Sequence, residues 1–403
     1  MRATQFYRIA VLTGILSLLV SYVAVWIRLI NDPVERAGSD FIAFYSAGIV
    51  AKEQGFSRVY DVEAQQAVEE KIVGFPLVQG QVLLFNHLPF LLPMLYTVMS
   101  ENYVGSFYIW VLLLLIFYCS AILILARYLK NSGTDQRMIF LMSISTFLFL
   151  PLFFSLMNGQ DTAILFLGIA LWVYGLTSGR EMLSGIGLSL TTVRPHISLL
   201  IAIPMLFSHR RIFLNYLVST GGLAAFSVLI LGVAGTRKFI EILMISAAGQ
   251  WHGMKEEAMF NFIGLLTRTL PNVDREVLRA LGWGVFALGI VVLSFLWAKN
   301  KNGTLLIGLT TIIALFTSPH LHFHDLTLLL IPLYEFIELR VLKASTAIVL
   351  PVAVSLLFLA SNVSTFLHYV TPYFVMLAIA YFGWRLERNI DLTAPRQLQS
   401  PER

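Results

Sequence analysis

The sequence predicts an all-α polytopic membrane protein, and three observations carry that expectation. Apolar residues make up 57% of the 403-residue chain and charged residues only 13%, against about 25% charge in a soluble domain. Mean hydropathy is +0.77. Apolar windows of about 20 residues, enough to cross about 30 Å of hydrocarbon, recur along the chain, and the short loops between them collect Lys and Arg on one side.

The expected spans cover 9–30, 104–128, 137–157, 161–177, 211–233, 277–298, 304–318, 324–339, 343–361 and 368–386. The first is longer than a signal-peptide core of about 7–15 residues and has no small-residue cleavage site after it, so it is read as retained. Arg2 and Arg8 put the N-terminus inside, which leaves 31–80 outside. Arg127, Lys130 and Arg137 belong inside, so only one crossing, 104–128, fits between. The stretch 81–99 contains Asn86, His87, Pro89 and Pro93 and reads as a dipping or interfacial segment.

The stretch 183–208 poses the opposite problem. Arg180 precedes it and "SHRR" (208–211) follows, so both ends belong inside. Proline removes a helix hydrogen bond and pushes its predecessor out of α geometry, so Arg194-Pro195 divides the stretch into two arms. A membrane hairpin with Arg194 at its tip is expected. Lys299, Lys301, Arg340, Lys343, Arg385 and Arg388 then fall inside. The expectation is a single integral-membrane domain (1–403) of about ten full spans plus a helical hairpin. Both termini are cytoplasmic, with a tail at 387–403.

Two outer loops are expected to hold amphipathic helices. In 31–80, one runs from about Ser39 to Gln54 and ends at Gly55; another starts at Asp61 as N-cap and stops at Gly74. In 234–275, "WHGMKEEAMFNFIG" suits an interfacial helix with Trp251, Met254 and Phe260 on its apolar face.

Several functions find no support. Cys119 is the only cysteine and cannot form an internal disulfide. The net charge of +5 sits in short loops, which is no nucleic-acid signal. There is no Gly-x-Ser-x-Gly elbow, P-loop or dinucleotide fingerprint. No cofactor is expected, and no nucleic-acid partner.

The unusual polar residues gather on one side. Asp40, Asp61, His87, "NGQD" (158–161, with Asn158 and Gln160), Arg194, His196, Asn261 and "HLHFHD" (320–325) all fall at the outer face or in the outer half of the membrane. Ionisable groups at that depth point to function. A transport path would carry polar groups through both leaflets, so one-sided clustering favours catalysis or recognition at the outer surface. Each residue also has a structural reading. Asp40 suits a helix N-terminus, Asp61 a cap, Arg194 a snorkelling or paired cation, and "NGQD" a polar turn. His320 and His324 would share a helix face at i, i+4, as metal ligands can. No His-Glu-x-x-His accompanies them, so hydrogen bonding of a substrate or phosphate by His320, His322 and His324 is favoured over a metal site.

These residues resemble a known family. "SDFIAFYSAGIVAKEQGFSRVYD" (39–61), "NGQDTAILFLGIAL" (158–171), "GIGLSLTTVRPHISLLIAIPMLFSHRR" (185–211) and "SPHLHFHDLTLLLIPL" (318–333) occur in the order of glycosyltransferase family 87, membrane enzymes of the GT-C class. The chain departs from it at "NHLPF" (86–90), where the family often has Tyr-Pro-Pro, at "NFIG" (261–264), which lacks a serine, and at Arg194, where Lys is common.

The resemblance implies a GT-C-like helical bundle and a polyprenyl-phosphate sugar donor. Mannose or another hexose would pass to a lipid or glycan acceptor at the extracytoplasmic face of the cell membrane. It implies Asp40 as the catalytic base. Arg194, with His322 or His324, would receive the donor phosphate, and His196, His320, Asn158, Gln160 and Asp61 complete the expected substrate-binding set. No metal is required by this arrangement. A lipid-carrier flippase and a non-catalytic scaffold of the same fold are the rival readings.

Overall fold

The computed structural model describes residues 3–247, 255–300, 305–339 and 344–389. Among them every regular element is helical and no strand occurs. The chain begins with α1 (Ala3–Asn31), a short α2 (Pro33–Ala37), α3 (Phe41–Gln54), α4 (Val62–Val73) and a short α5 (Leu92–Val98). Then come α6 (Tyr103–Asn131), α7 (Gln136–Phe147), α8 (Leu150–Met157), α9 (Thr162–Thr177), α10 (Glu181–Leu190), α11 (Pro195–Ser208) and α12 (Arg210–Ala247). The last third holds α13 (Phe262–Thr269), α14 (Arg275–Lys299), α15 (Leu306–Thr317), α16 (Leu330–Glu338), α17 (Ala344–Ser361) and α18 (Thr365–Asn389).

Among the described residues, five helices are long and apolar enough to cross a membrane: α1, α6, α12, α14 and α18. The pair α7 and α8, bent by 48°, makes a sixth if it counts as one span. Several of the expected full spans are shorter. At 1.5 Å per residue, α9 rises about 24 Å and α15 about 18 Å, less than a hydrocarbon core. The reason lies in what caps them: α9 starts, and α15 ends, at polar turns buried inside the bundle.

Those turns align because neighbouring helices are antiparallel. In α9 and α10, a Cβ on Gly168 would lie 2.7 Å from Gly187 O, and one on Gly175 would lie 2.5 Å from Ser184 N. Small residues let the backbones approach this closely, and the pairing sets residue 161 level with residue 194. At the other side, the start of α10 meets the start of α12, which follows α11 directly, where Arg211 Nη1 lies 3.5 Å from Glu181 Oε2. Arg194 stands at the junction of α10 and α11, extended (φ −125°, ψ 85°) as the residue before a proline must be, with Pro195 opening α11. Likewise α15 leads to the 318–322 loop and α16 leads away from it, with Gly308 N donating to Glu335 Oε2 at 2.9 Å. Three polar turns thus reach one level of the bundle.

Two expectations for the outer loops are corrected. The helix from Phe41 is not a surface helix: every residue from Phe41 to Ala51 is buried. It is apolar nearly all round, and such a helix belongs in a core. Phe41 packs edge-on to Tyr103 and Phe107, each at 5.1 Å; Phe44 meets Phe85 at 5.5 Å and Trp110 at 5.6 Å. Phe260 also faces inward, at 5.6 Å from Phe323 and 5.3 Å from His368, while α12 runs on as helix to Ala247 past a kink at Gly232. Trp251 and Met254 lie outside the described residues.

Candidate active site

A cavity of about 730 Å³ opens where the polar turns meet, within the usual range for small-ligand sites of roughly 300–1,000 Å³. Asp40, Asn158, Gln160 and Arg194 line it, and so do His196, His320, His322 and His324. These are the residues singled out in the sequence, with one exception. Asp61 is not on the cavity: it caps α4 by accepting from Glu63 N at 3.1 Å and pairs with Arg58 at 3.2 Å.

Asp40 stands at the N-cap position of α3 but makes no side-chain cap hydrogen bond. Its own backbone is already helical (φ −58°, ψ −21°), so the side chain does not reach back to the first free N–H groups. Among the described residues it has no hydrogen-bond or ion-pair partner. Ser39, the other candidate cap, leaves its Oγ buried without a partner. A carboxylate that neither caps nor pairs, on a cavity wall, is available to a ligand.

Arg194 is the opposite case. Of the two sequence readings of Arg194, a paired cation and a ligand of the donor phosphate, the geometry shows the pairing. Its Nη1 donates to Asp161 Oδ1 at 2.9 Å, its Nε to Asp325 Oδ1 at 3.3 Å and its Nη2 to Gln160 Oε1 at 3.0 Å. Nη2 also lies 3.4 Å from His324 Nε2. Both carboxylates are fully buried. The physical reason is desolvation: a guanidinium this deep needs counter-charge, and two polar turns supply it.

Local structure fixes each partner. After α8, Gly159 turns the chain with φ 65°, a left-handed conformation that suits glycine, and its carbonyl accepts from Trp110 Nε1 at 2.7 Å. Asp161 follows, with its side chain free of capping duty. Its second oxygen lies 2.8 Å from His87 Nδ1. Asp325 accepts from Thr162 Oγ1 at 3.2 Å and from His322 N at 3.2 Å, which ties the histidine turn to the start of α9.

The histidines form a row. Ring centroids are 6.3 Å apart for His196 and His320, 4.6 Å for His320 and His322 and 5.8 Å for His322 and His324. The turn that carries them is held by Asn261, which donates Nδ2–H to Ser318 O at 2.7 Å and caps α13 by accepting from Gly264 N at 2.8 Å. Burial pushes the His322 imidazole below the ordinary histidine range; neighbouring His324 adds to this, and the Asp40 carboxylate opposes it. Asp40 and His322 are therefore electrostatic neighbours. His320 and His322 precede the helical turn that begins at Phe323, so the shared helix face considered for His320 and His324 does not form. Among the described residues, no three His, Cys, Asp or Glu side chains are grouped as a metal site.

Asp161, Asp325 and His87 were given no site role, although His87 was named in the polar cluster and the other two end the quoted motifs "NGQD" and "HLHFHD". The signal that finds them is Arg194 itself, since a buried cation implies buried anions. The far side of the cavity, lined by Glu256, Arg279, Trp283 and His368, carried no sequence signal. There Arg279 is ion-paired with Glu256.

Helices fit to cross a membrane, closed around a polar cavity with an unpaired carboxylate, define a multi-pass membrane protein with the makings of an enzyme site. The chain belongs to glycosyltransferase family 87, whose sequence model matches residues 86–319. It is thus a membrane glycosyltransferase, in line with the resemblance drawn from the motifs. No curated protein matches the chain. The family match begins beyond Asp40, so any role for Asp40 rests on the motif likeness at 39–61 and on its geometry.

Proposed function

We propose that the protein moves mannose or another hexose from a polyprenyl-phosphate donor to a lipid or glycan acceptor, at the extracytoplasmic face of the cell membrane, with both termini cytoplasmic. Asp40 is the catalytic base that takes the acceptor's hydroxyl proton. One observation carries this reading: Asp40 is an unpartnered carboxylate on the wall of the cavity that His320, His322 and His324 also line. A base must reach the proton it abstracts, and an uncommitted carboxylate costs nothing to redirect.

The histidines, Asn158 and Gln160 supply hydrogen bonds to the donor's sugar and phosphate. Arg194 acts through Gln160 and His324, which it holds in place. No cofactor is needed, because the leaving group departs as a lipid phosphate already stabilised by donors. The polar groups gather at one level of the bundle, which favours transfer over passage of a lipid carrier between leaflets.

The test uses the full-length protein reconstituted in vesicles with undecaprenyl-phosphomannose and an extract of envelope lipids as acceptor. The wild type should yield a mannosylated lipid of new mass. Asp40→Asn should lower that rate by about 10²- to 10⁴-fold, the usual worth of a general base, with insertion and melting unchanged. An Asp40→Asn protein of full activity would remove Asp40 from the chemistry.

A further inference from the structure

His87 has no role in the reading above, yet it lies beside both halves of the site. Its ring sits 4.3 Å from the Phe44 ring and 5.3 Å from Phe85, and its carbonyl accepts from Tyr60 Oη–H at 2.7 Å. Phe44 follows Asp40 by four residues, so the two share a face of α3 one turn apart. His87 therefore packs on the residue one turn along α3 from Asp40, and it lines the same cavity.

The two ring nitrogens have different tasks. Nδ1 lies 2.8 Å from Asp161 Oδ2. Asp161 also receives Arg194 and, as a carboxylate, can only accept, so Nδ1 carries a hydrogen. Nε2 has no hydrogen-bond partner among the described residues and is not among the sealed, unpartnered polar atoms. It is open to the cavity. A carboxylate on one imidazole nitrogen orients the ring and sets which nitrogen faces the ligand.

Charge points to what Nε2 meets. The buried cluster holds two carboxylates, Asp161 and Asp325, against one guanidinium. His324 Nε2 faces the Arg194 Nη2–H and so serves as an acceptor. His87 holds Asp161 of this cluster through Nδ1 and turns its other nitrogen to the cavity. Arg194 is spent on its two carboxylates.

We propose that His87 is a substrate-contacting residue: with Nδ1–H held by Asp161, its imidazolium form donates Nε2–H to a phosphate oxygen of the lipid-linked donor. This rests on the proposed function, and assigns the phosphate subsite within it.

The experiment uses undecaprenyl monophosphate, the lipid that any such undecaprenyl donor leaves behind, and the full-length protein in detergent micelles. His87→Asn is the informative variant, because the Asn amide can keep the hydrogen bond to Asp161 while removing the cavity-facing N–H. It should bind the lipid about 10- to 100-fold more weakly, the worth of a charge-assisted hydrogen bond. His87→Gln, which can restore a donor near the Nε2 position, should recover part of the loss. A second readout needs no variant. Carbethoxylation of His87 in the wild type, followed by mass spectrometry, should be blocked by undecaprenyl monophosphate but not by undecaprenol or by inorganic phosphate. Wild-type binding by His87→Asn, or labelling of His87 that the lipid phosphate leaves unchanged, would overturn the assignment while leaving Asp40 as base. Protection by inorganic phosphate equal to that by the lipid would overturn the lipid-linked part. A folded wild type that binds no undecaprenyl monophosphate would overturn the donor class and the role of His87 together.

Discussion

Arg194 and Asp161, 33 residues apart in the chain, meet at 2.9 Å through Nη1 and Oδ1 inside the bundle. Each belongs to a different helix junction: Arg194 joins α10 to α11, and Asp161 starts α9. The pair therefore locks two turns together, and Asp325 adds the third. Arg194 is thus a keystone between three turns.

This has a consequence for stability. Arg194→Met leaves two buried carboxylates uncompensated and should cost about 3–5 kcal/mol. Arg194→Lys keeps the charge but loses the planar fork that reaches Asp161, Asp325 and Gln160 at once, so it should fall between Met and wild type. Adding Asp161→Asn to Arg194→Met should recover part of the loss, which thermal unfolding in detergent measures. An arginine that only bound ligand would give Arg194→Met a wild-type melting temperature in the absence of donor.

Gly159 offers a second check. A Cβ there would lie 2.9 Å from Phe41 Cβ, and the φ of 65° costs an L-residue about 1–2 kcal/mol. Gly159→Ala should therefore displace Phe41, next to Asp40, relative to Asp161. Melting temperature and transfer rate should fall together. An alanine variant that melts with the wild type would show that the turn is looser than its geometry indicates.

The helix α4 should confer a pH dependence. Glu69 is buried on it, with Oε2 accepting from Leu83 N at 3.1 Å and Oε1 unpartnered. Burial pushes its carboxyl up to about 8, against the smaller opposite effect of the Leu83 N–H. The folded value lies above the unfolded one, so the unfolded chain loses its proton first as pH rises. The stability tied to neutral Glu69 is full below the ordinary carboxyl range and is lost as pH climbs through about 8. Wild type should melt lower at pH 8.5 than at pH 5.5, and Glu69→Gln should show a smaller difference. Equal pH differences in the two proteins would count against a buried neutral acid.

Much of the helical plan is legible in the sequence because its signals are local. The break at Arg194-Pro195, the Asp61 cap and the Gly55 and Gly74 stops each depend on a few adjacent residues. The cavity wall is legible for a related reason: Asp40, Arg194 and the histidines at 320, 322 and 324 are polar in apolar surroundings, and that contrast can be read one residue at a time. Pairing cannot. Asp325 is as polar as Asp40 and equally conspicuous, yet one is committed to Arg194 and the other to nothing.

The burial of α3 was hidden for the same reason. Phe41, Phe44 and Tyr45 would suit a lipid interface as well as a protein core, since hydropathy does not distinguish the two. Only the neighbours decide, and here they are Tyr103, Phe107, Phe85 and Trp110.

By itself the sequence determined that the chain is helical, that it belongs in a membrane, and which polar residues are out of keeping with that setting. Composition and hydrophobic runs settle those points before any contact forms. The tertiary structure decided which of those residues neutralise one another and which stay open. Charge compensation between Arg194, Asp161 and Asp325 depends on distances across three separate turns, and no local pattern encodes such distances. That leaves Asp40 unpaired on the cavity wall and His87 with one nitrogen facing it.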